Sequence, residues 1–216
     1  MAKSLNSVWV TEMLKRGIDI SHWQGEIDAR AIKKAGVEFV IIKSGGDFYK
    51  DRKFESYYKS LTDAGIPVGA YYIPGYKFAG SDYGKRCADH FLELCAGKTF
   101  EYPMFLDIEL QVPRNKKATT EAAVTFMDRL EKAGCYAGFY CSDGLGIELL
   151  DIPSLARFDR WVARYGGKKP TRIKNYGIWQ YSEKGSIQGI KGHNVDLDYA
   201  YKDYQKIINT RGFNRL

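Results

Sequence analysis

Pro103-Met104-Phe105-Leu106-Asp107-Ile108-Glu109-Leu110 sets two acids, one residue apart, at the end of an apolar run. An apolar run of this length after a turn-making proline reads as a buried strand over Met104 to Leu110. Side chains at i and i+2 of a strand point to the same side, so Asp107 and Glu109 are expected to project together from a strand that is otherwise core. Two carboxylates held this close repel when both are ionised. One pKa is expected to rise, leaving a proton available at ordinary pH. An acid paired with a carboxylate is what acetal cleavage requires. A salt-bridged strand end facing solvent has the same local signature.

Seven further short strands are expected on either side of this one: Gly17–Ser21, Phe39–Lys43, Pro67–Ile73, Tyr136–Cys141, Arg160–Tyr165, Gly177–Tyr181 and Asn194–Asp198. Helical spacing falls between the first five strands. It covers Asp28 to Gly36, Asp51 to Gly65, Ser81 to Gly97 with Ser81 as N-cap, and Thr119 to Gly134 with Thr119 as N-cap. Regular alternation of strand and helix argues for parallel βαβ units. After the fifth strand Ile147 to Leu155 reads as one short helix. The connections Tyr165 to Gly177 and Tyr181 to Asn194 are rich in Gly, Lys and Ser and are expected to be loops, so some of the last strands are free to run antiparallel. The expected fold is therefore α/β, a single-domain TIM-like barrel of five β/α units and three plainer strands. Residues 1–16 read as a lead-in, 17–206 as the barrel and 207–216 as a basic tail.

The chain has 216 residues, 44% of them hydrophobic, enough for one substantial core. No apolar run approaches the ~20 residues of a membrane span, and Met1 to Arg16 lacks the continuous apolar segment of a secretory signal. Synthesis in the cytoplasm without a signal peptide is expected. Cys87 and Cys95 lie too far apart on one helix to bridge, Cys135 and Cys141 flank an extended strand, and no C-x-x-C pair is present. All four are expected to be buried thiols. The net charge of +7, with Lys168, Lys169, Arg172, Lys174, Arg211 and Arg215 clustered late, favours an anionic partner. No nucleic-acid motif accompanies it.

In a parallel barrel the chemistry collects at the C-terminal ends of the strands. Asp19 lies near the end of the first strand, Lys43 ends the second, Tyr71 or Tyr72 the third, Asp107 and Glu109 the fourth and Tyr140 the fifth. Asp196 and Asp198 lie in the eighth strand, which neighbours the first in a closed barrel. Sixteen tyrosines and four tryptophans suit sugar binding, since a sugar ring has apolar faces and polar edges. Trp161, Trp179 and Gln180 fit either that role or core packing. His22 and His193 could serve acid–base chemistry. No nucleophile-elbow motif supports a Ser/His/Asp triad, and Gly45-Gly46 is too short for a phosphate loop.

The segments Gly17-Ile-Asp19-Ile-Ser-His-Trp-Gln-Gly25, Gly69-Ala-Tyr71-Tyr72, Asp107-Ile-Glu109, Trp161-Val-Ala-Arg-Tyr165, Ile178-Trp-Gln-Tyr181 and Val195-Asp196-Leu resemble glycoside hydrolase family 25, the Chalaropsis-type lysozymes, in order and in spacing. The resemblance covers about Gly17 to Tyr204. It implies a (β/α)5β3 barrel that hydrolyses the β-1,4 bond from N-acetylmuramic acid to N-acetylglucosamine in peptidoglycan, as phage endolysins and bacterial autolysins do. By motif Glu109 takes the place of the general acid and Asp107 of its neighbouring carboxylate, with Asp19 and Asp196 completing the acidic cluster. Tyr71, Tyr72, Tyr140, Lys43, Trp161 and Gln180 are expected to bind substrate. Neither a cofactor nor a metal is expected. The expected partners are peptidoglycan strands and anionic wall polymers, not nucleic acid or membrane, and the chain is expected to act as a monomer outside the cell. Tyr72 departs from the family pattern, which has His there. A glycan-binding barrel without activity and a metal-dependent phosphodiesterase are the competing readings.

Overall fold

The computed structural model describes residues 14–192 and 194–216. The strands are β1 (Lys15–Ile20), β2 (Phe39–Gly46), β3 (Tyr49–Lys50), β4 (Val68–Tyr72), β5 (Met104–Asp107), β6 (Ala137–Ser142), β7 (Asp159–Ala163), β8 (Ile178–Gly185) and β9 (Val195–Ala200). The helices are α1 (Ala29–Lys34), α2 (Phe54–Asp63), α3 (Gly80–Cys95), α4 (Lys116–Lys132), α5 (Leu145–Leu149) and α6 (Tyr204–Arg211). Eight strands close into a barrel through the β1–β2 pairing, and β3 is a short hairpin appended to β2. Pairs from β1 round to β8 are parallel. Among the eight barrel strands β9 alone is reversed, pairing antiparallel with both β8 and β1. A helix follows each of β1, β6 and the strands between them, if the β2–β3 hairpin is counted as one unit. The connections after β7 and β8 are loops, so five β/α units and three plainer strands make up the barrel.

Period-two alternation assigns the two layers. Ile18, Ile20, Val40, Ile42, Val68, Ala70, Tyr72, Met104, Leu106, Phe139, Cys141 and Val162 point outward and pack under the helices. Phe39, Ile41, Tyr71, Phe105, Tyr140, Trp161, Ile178 and Ala200 point inward. The inward set is aromatic from bottom to middle. The Phe39 and Tyr102 rings stack with centroids 4.3 Å apart, and Trp161 meets Phe105 at 5.3 Å and Tyr140 at 4.6 Å. This is a packed plug, not a channel. The four cysteines are buried and free.

Several sequence-based expectations shift. The strand carrying Asp107 ends at that residue, and Glu109 lies in the bend beyond it. Asn115, not Thr119, caps α4 by accepting from Ala118 N–H; Thr119 Oγ1 donates to Pro113 O instead. Helix α3 begins after Ala79 with no side-chain cap, because Gly80 at φ 72° turns the chain into the helix ahead of Ser81. The expected helix from Ile147 to Leu155 is split into α5 and a 3-10 turn over Ile152–Leu155, with Pro153 in its first turn. Residues 15 and 16 of the expected lead-in already belong to β1, while 1–13 lie outside the described residues.

The boundary expected after residue 206 falls inside α6. Tyr204 and Ile208 of that helix join the interior aromatic cluster, closing the bottom of the barrel. Beyond it Asn214 is fully buried. It accepts from Tyr136 N–H at 2.7 Å and donates to Tyr102 O at 2.9 Å. Asn214→Ala strands both backbone groups and is expected to cost ~2–4 kcal/mol, read as a lowered denaturant midpoint.

Candidate active site

The end of each barrel strand on one face delivers a side chain to a single cleft of about 230 Å³. Asp19 comes from β1, Lys43 from β2, Tyr71 from β4, Asp107 from β5, Tyr140 from β6, Trp161 from β7 and Gln180 from β8. Glu109 reaches the cleft from just past β5. Asp196 sits at the start of β9, and because that strand is reversed its first residues lie beside the last residues of β1. The register sets Asp19 directly opposite Asp196.

A hydrogen-bond network lies under the acids. Tyr140 OH and Tyr165 OH both donate to Gln180 Oε1, at 2.8 and 2.7 Å. That fixes which way the amide points, and Gln180 Nε2 donates to Asp19 Oδ2 at 2.8 Å. Trp161 Nε1 donates to Asp198 Oδ1 at 2.7 Å. Asp107 Oδ1 is buried with no partner.

The cleft is lined by buried acids, and its pKa values follow. Burial, then Glu109, raises Asp107 well above the ordinary carboxylate range, while Lys43 pulls it down. Burial also raises Glu109, and Lys43 again opposes. The two titrate as a unit and retain a proton above the usual carboxylate pH. Burial, with Glu183 and Glu109, pushes Asp196 to about 6. Burial, followed by Asp196 and Asp198, raises Asp19 strongly. Such an arrangement suits proton donation from one carboxyl beside charge stabilisation by another.

Of the residues expected at the site, Tyr72 is not brought to it. The alternation that turns Tyr71 inward turns Tyr72 outward, under α3. There its hydroxyl accepts from Phe48 N–H at 3.1 Å and pairs with His90 Nδ1 at 3.1 Å. Phe48 and Asp47 have φ of 67° and 40°, so Tyr72 braces a left-handed hairpin tip. Trp161 and Gln180 form the floor of the cleft with their polar atoms engaged inside the protein. His22 Nδ1 pairs with Asp51 Oδ2 at 2.7 Å, and His193 lies outside the described residues. Trp179 donates from Nε1 to Arg164 O and does not line the cleft.

Sequence reasoning missed Trp23, which is 67% exposed at the cleft rim. Its 3-10 turn (His22–Gln24) carries a capping box: Ser21 Oγ accepts from Trp23 N–H, and Gln24 Oε1 from Ser21 N–H. The spacing Ser21-x-x-Gln24 is the signal that could have marked the turn. Asp198 was also passed over as a site residue, although it shares a strand face with Asp196.

Residues 18–190 match the family described as Glycosyl hydrolases family 25. The chain is 32% identical over 190 residues to the autolytic lysozyme of Clostridium acetobutylicum, covering 85% of this chain and 55% of that protein. It is 28% identical over 205 residues to lysozyme M1 of Streptomyces globisporus, covering 82% of this chain and 65% of that one. The solved CTP1L endolysin superposes with a TM-score of 0.80 at 26% identity, covering 91% of this chain and 70% of that chain. The family match over residues 18–190 and the 32% identity show that the chain belongs to glycoside hydrolase family 25. It spans 55% and 65% of the length of the two lysozymes it matches.

Lys43 favours the ionised forms of Asp107 and Glu109, so removing it favours the protonated forms. Lys43→Met is expected to move the titration of both carboxyls to higher pH, followed by carbon-13 NMR of labelled Asp and Glu. An unmoved titration would mean that the ammonium does not reach the pair.

Proposed function

We propose that the chain is a peptidoglycan hydrolase of the lysozyme type, an N-acetylmuramidase cutting the β-1,4 bond between N-acetylmuramic acid and N-acetylglucosamine. The observation that carries this reading is the convergence of Asp19, Asp107, Glu109 and Asp196 on one cleft in a chain of this family. The relatives' names, autolytic lysozyme and lysozyme M1, support the same substrate. Rim aromatics such as Trp23 offer faces for sugar rings, and Tyr71 and Tyr140 offer hydroxyl edges.

Glu109 acts as general acid. It is the more accessible member of the proton-holding pair, and none of its side-chain oxygens is tied to a protein donor. It protonates the leaving glycosidic oxygen. Asp107, deeper and unpartnered at Oδ1, stabilises the positive charge that develops at the anomeric carbon. Asp19 and Asp196 hold the charge balance of the cleft and orient water or sugar. One chain carries every one of these groups, which supports action as a monomer. The wall substrate places the site of action outside the cell membrane; no described helix is long and apolar enough to cross one.

Glu109→Gln keeps the shape and removes the proton. Wall-clearing activity is expected to fall by roughly 10²–10⁴-fold with an unchanged melting temperature. New reducing ends on muramic acid in the wild-type digest identify the bond cut; ends on glucosamine would replace this reading with a glucosaminidase. A fully active variant would remove Glu109 from the role.

Anionic wall polymers are proposed to contact the loop 164–177, which leaves β7 at the cleft face. Burial pushes Asp143 up, but N–H donors from Thr171, Ile173 and Arg172 and the Arg164 guanidinium outweigh it and hold the carboxylate ionised. That anchor presents Lys168, Lys169, Arg172 and Lys174 outward. Lys168→Glu with Lys169→Glu is expected to weaken binding to walls bearing phosphodiester polymers at low salt, and to leave binding to stripped walls unchanged. Equal losses on both walls would exclude the polymer as the contact.

A further inference from the structure

Asp198 is fully buried at the middle of β9, and the mechanism above makes no use of it. Its Oδ1 accepts from the indole N–H of Trp161 at 2.7 Å. Its Oδ2 is equally buried, and no protein N–H or O–H reaches it. The neighbouring group is the carboxyl of Asp19, diagonal to Asp198 across the β1–β9 pair and electrostatically coupled to it. Asp19 is itself buried and already takes the Gln180 amide on Oδ2. Two adjacent ionised carboxylates at a buried site are costly, and one proton between them would also give the buried Oδ2 of Asp198 a partner.

We propose that Asp198 is a positioning residue for Asp19: the two carboxyls share one proton on the floor of the cleft, and this bond, together with the Gln180 amide, fixes Asp19 as one half of a singly charged pair. The surrounding groups favour that state. Asp196 faces Asp19 from β9 across the strand pair, and Glu183 and Glu109 add their charge to Asp196. Tyr71 from β4 and Tyr140 from β6 are neutral, as are Trp161 from β7 and Gln180 from β8. Tyr181 couples electrostatically to both Asp198 and Arg16. Lys43 is the one cation lining the cleft among the described residues, and its pull is on Asp107 and Glu109. Burial raises both members of the pair, Asp198 to about 8. The catalytic meaning of the pair rests on the proposed glycan hydrolysis. The shared proton does not.

In the unfolded chain both carboxyls ionise near pH 4. In the folded chain burial raises both carboxyls, so the pair still holds a proton at neutral pH. The folded state therefore binds one more proton than the unfolded state in that window, and this contribution to stability is lost as pH rises. Asp198→Asn supplies the same contacts without a proton: its amide oxygen accepts from Trp161, and its amide N–H donates to an ionised Asp19. The ratio of unfolding constants, wild type over Asp198→Asn, is expected to climb toward tenfold per pH unit between about pH 5 and 7 in denaturant titrations of the full chain. Infrared spectra of the chain labelled with carbon-13 aspartate are expected to show a protonated-acid carbonyl band at neutral pH. Asp198→Asn and Asp19→Asn should each remove the same component. The wild-type band and the Asp19→Asn spectrum decide the matter even if Asp198→Asn folds poorly. A pH-independent ratio, or acid-band spectra from which the two substitutions do not remove the same component, would overturn the shared proton, whatever glycan the protein cuts.

Discussion

Strand β9 runs against β1, and their pairing sets Asp19 opposite Asp196 with Asp198 one pleat below. Like charges directly across an antiparallel pair are destabilising in a solvated sheet. Here the pair closes a barrel, so both side chains face the interior and the repulsion is resolved by protonation instead of separation. Reversal of the last strand is what brings its first residues, not its last, to the mouth that β5 reaches from the other side. Without that reversal Asp196 would lie at the opposite end of the barrel from Glu109.

The aromatic plug beneath the acids sets their electrostatics. Phe105, Trp161 and Tyr140 pack beneath the floor, and burial is the largest cause of elevation for Asp19, Asp107, Glu109, Asp196 and Asp198 alike. A set of protonated or half-ionised acids is a stability cost placed at a functional site. The barrel offsets it elsewhere, with α6 and Asn214 closing the bottom and the outward-facing residues packed under the helices. Glycines at the end of β2 let the hairpin lie close to its neighbours: a Cβ on Gly45 would sit 2.1 Å from Tyr49 O, and one on Gly46 would sit 2.0 Å from Ile73 O. This proximity holds Tyr49 beside Lys43, whose ammonium lies 5.6 Å from the Tyr49 ring centroid.

The order of strands and helices, the change to loops after β7 and the inward set Asp19, Lys43, Asp107 and Asp196 were legible in the chain, because apolar periodicity and strand-end position are local properties. So was the family, through short motifs in fixed order. The inward or outward sense of a neighbouring pair was not. Tyr71 and Tyr72 are the same residue type side by side, and the pleat alone sends one to the cleft and the other to brace the hairpin at Phe48. Helix starts were misplaced at α3 and α4 because a positive-φ glycine and a distant asparagine outcompeted the nearer Ser81 and Thr119. The barrel plug formed by α6 read as a basic tail, since its few inward residues carry no period strong enough to mark a core contact. Residue identity and spacing were enough to name the acids and the barrel. The direction of β9, the burial that keeps protons on those acids and the coupling between Asp19 and Asp198 arise when strands far apart in the chain are brought into register, and no local pattern encodes that distance.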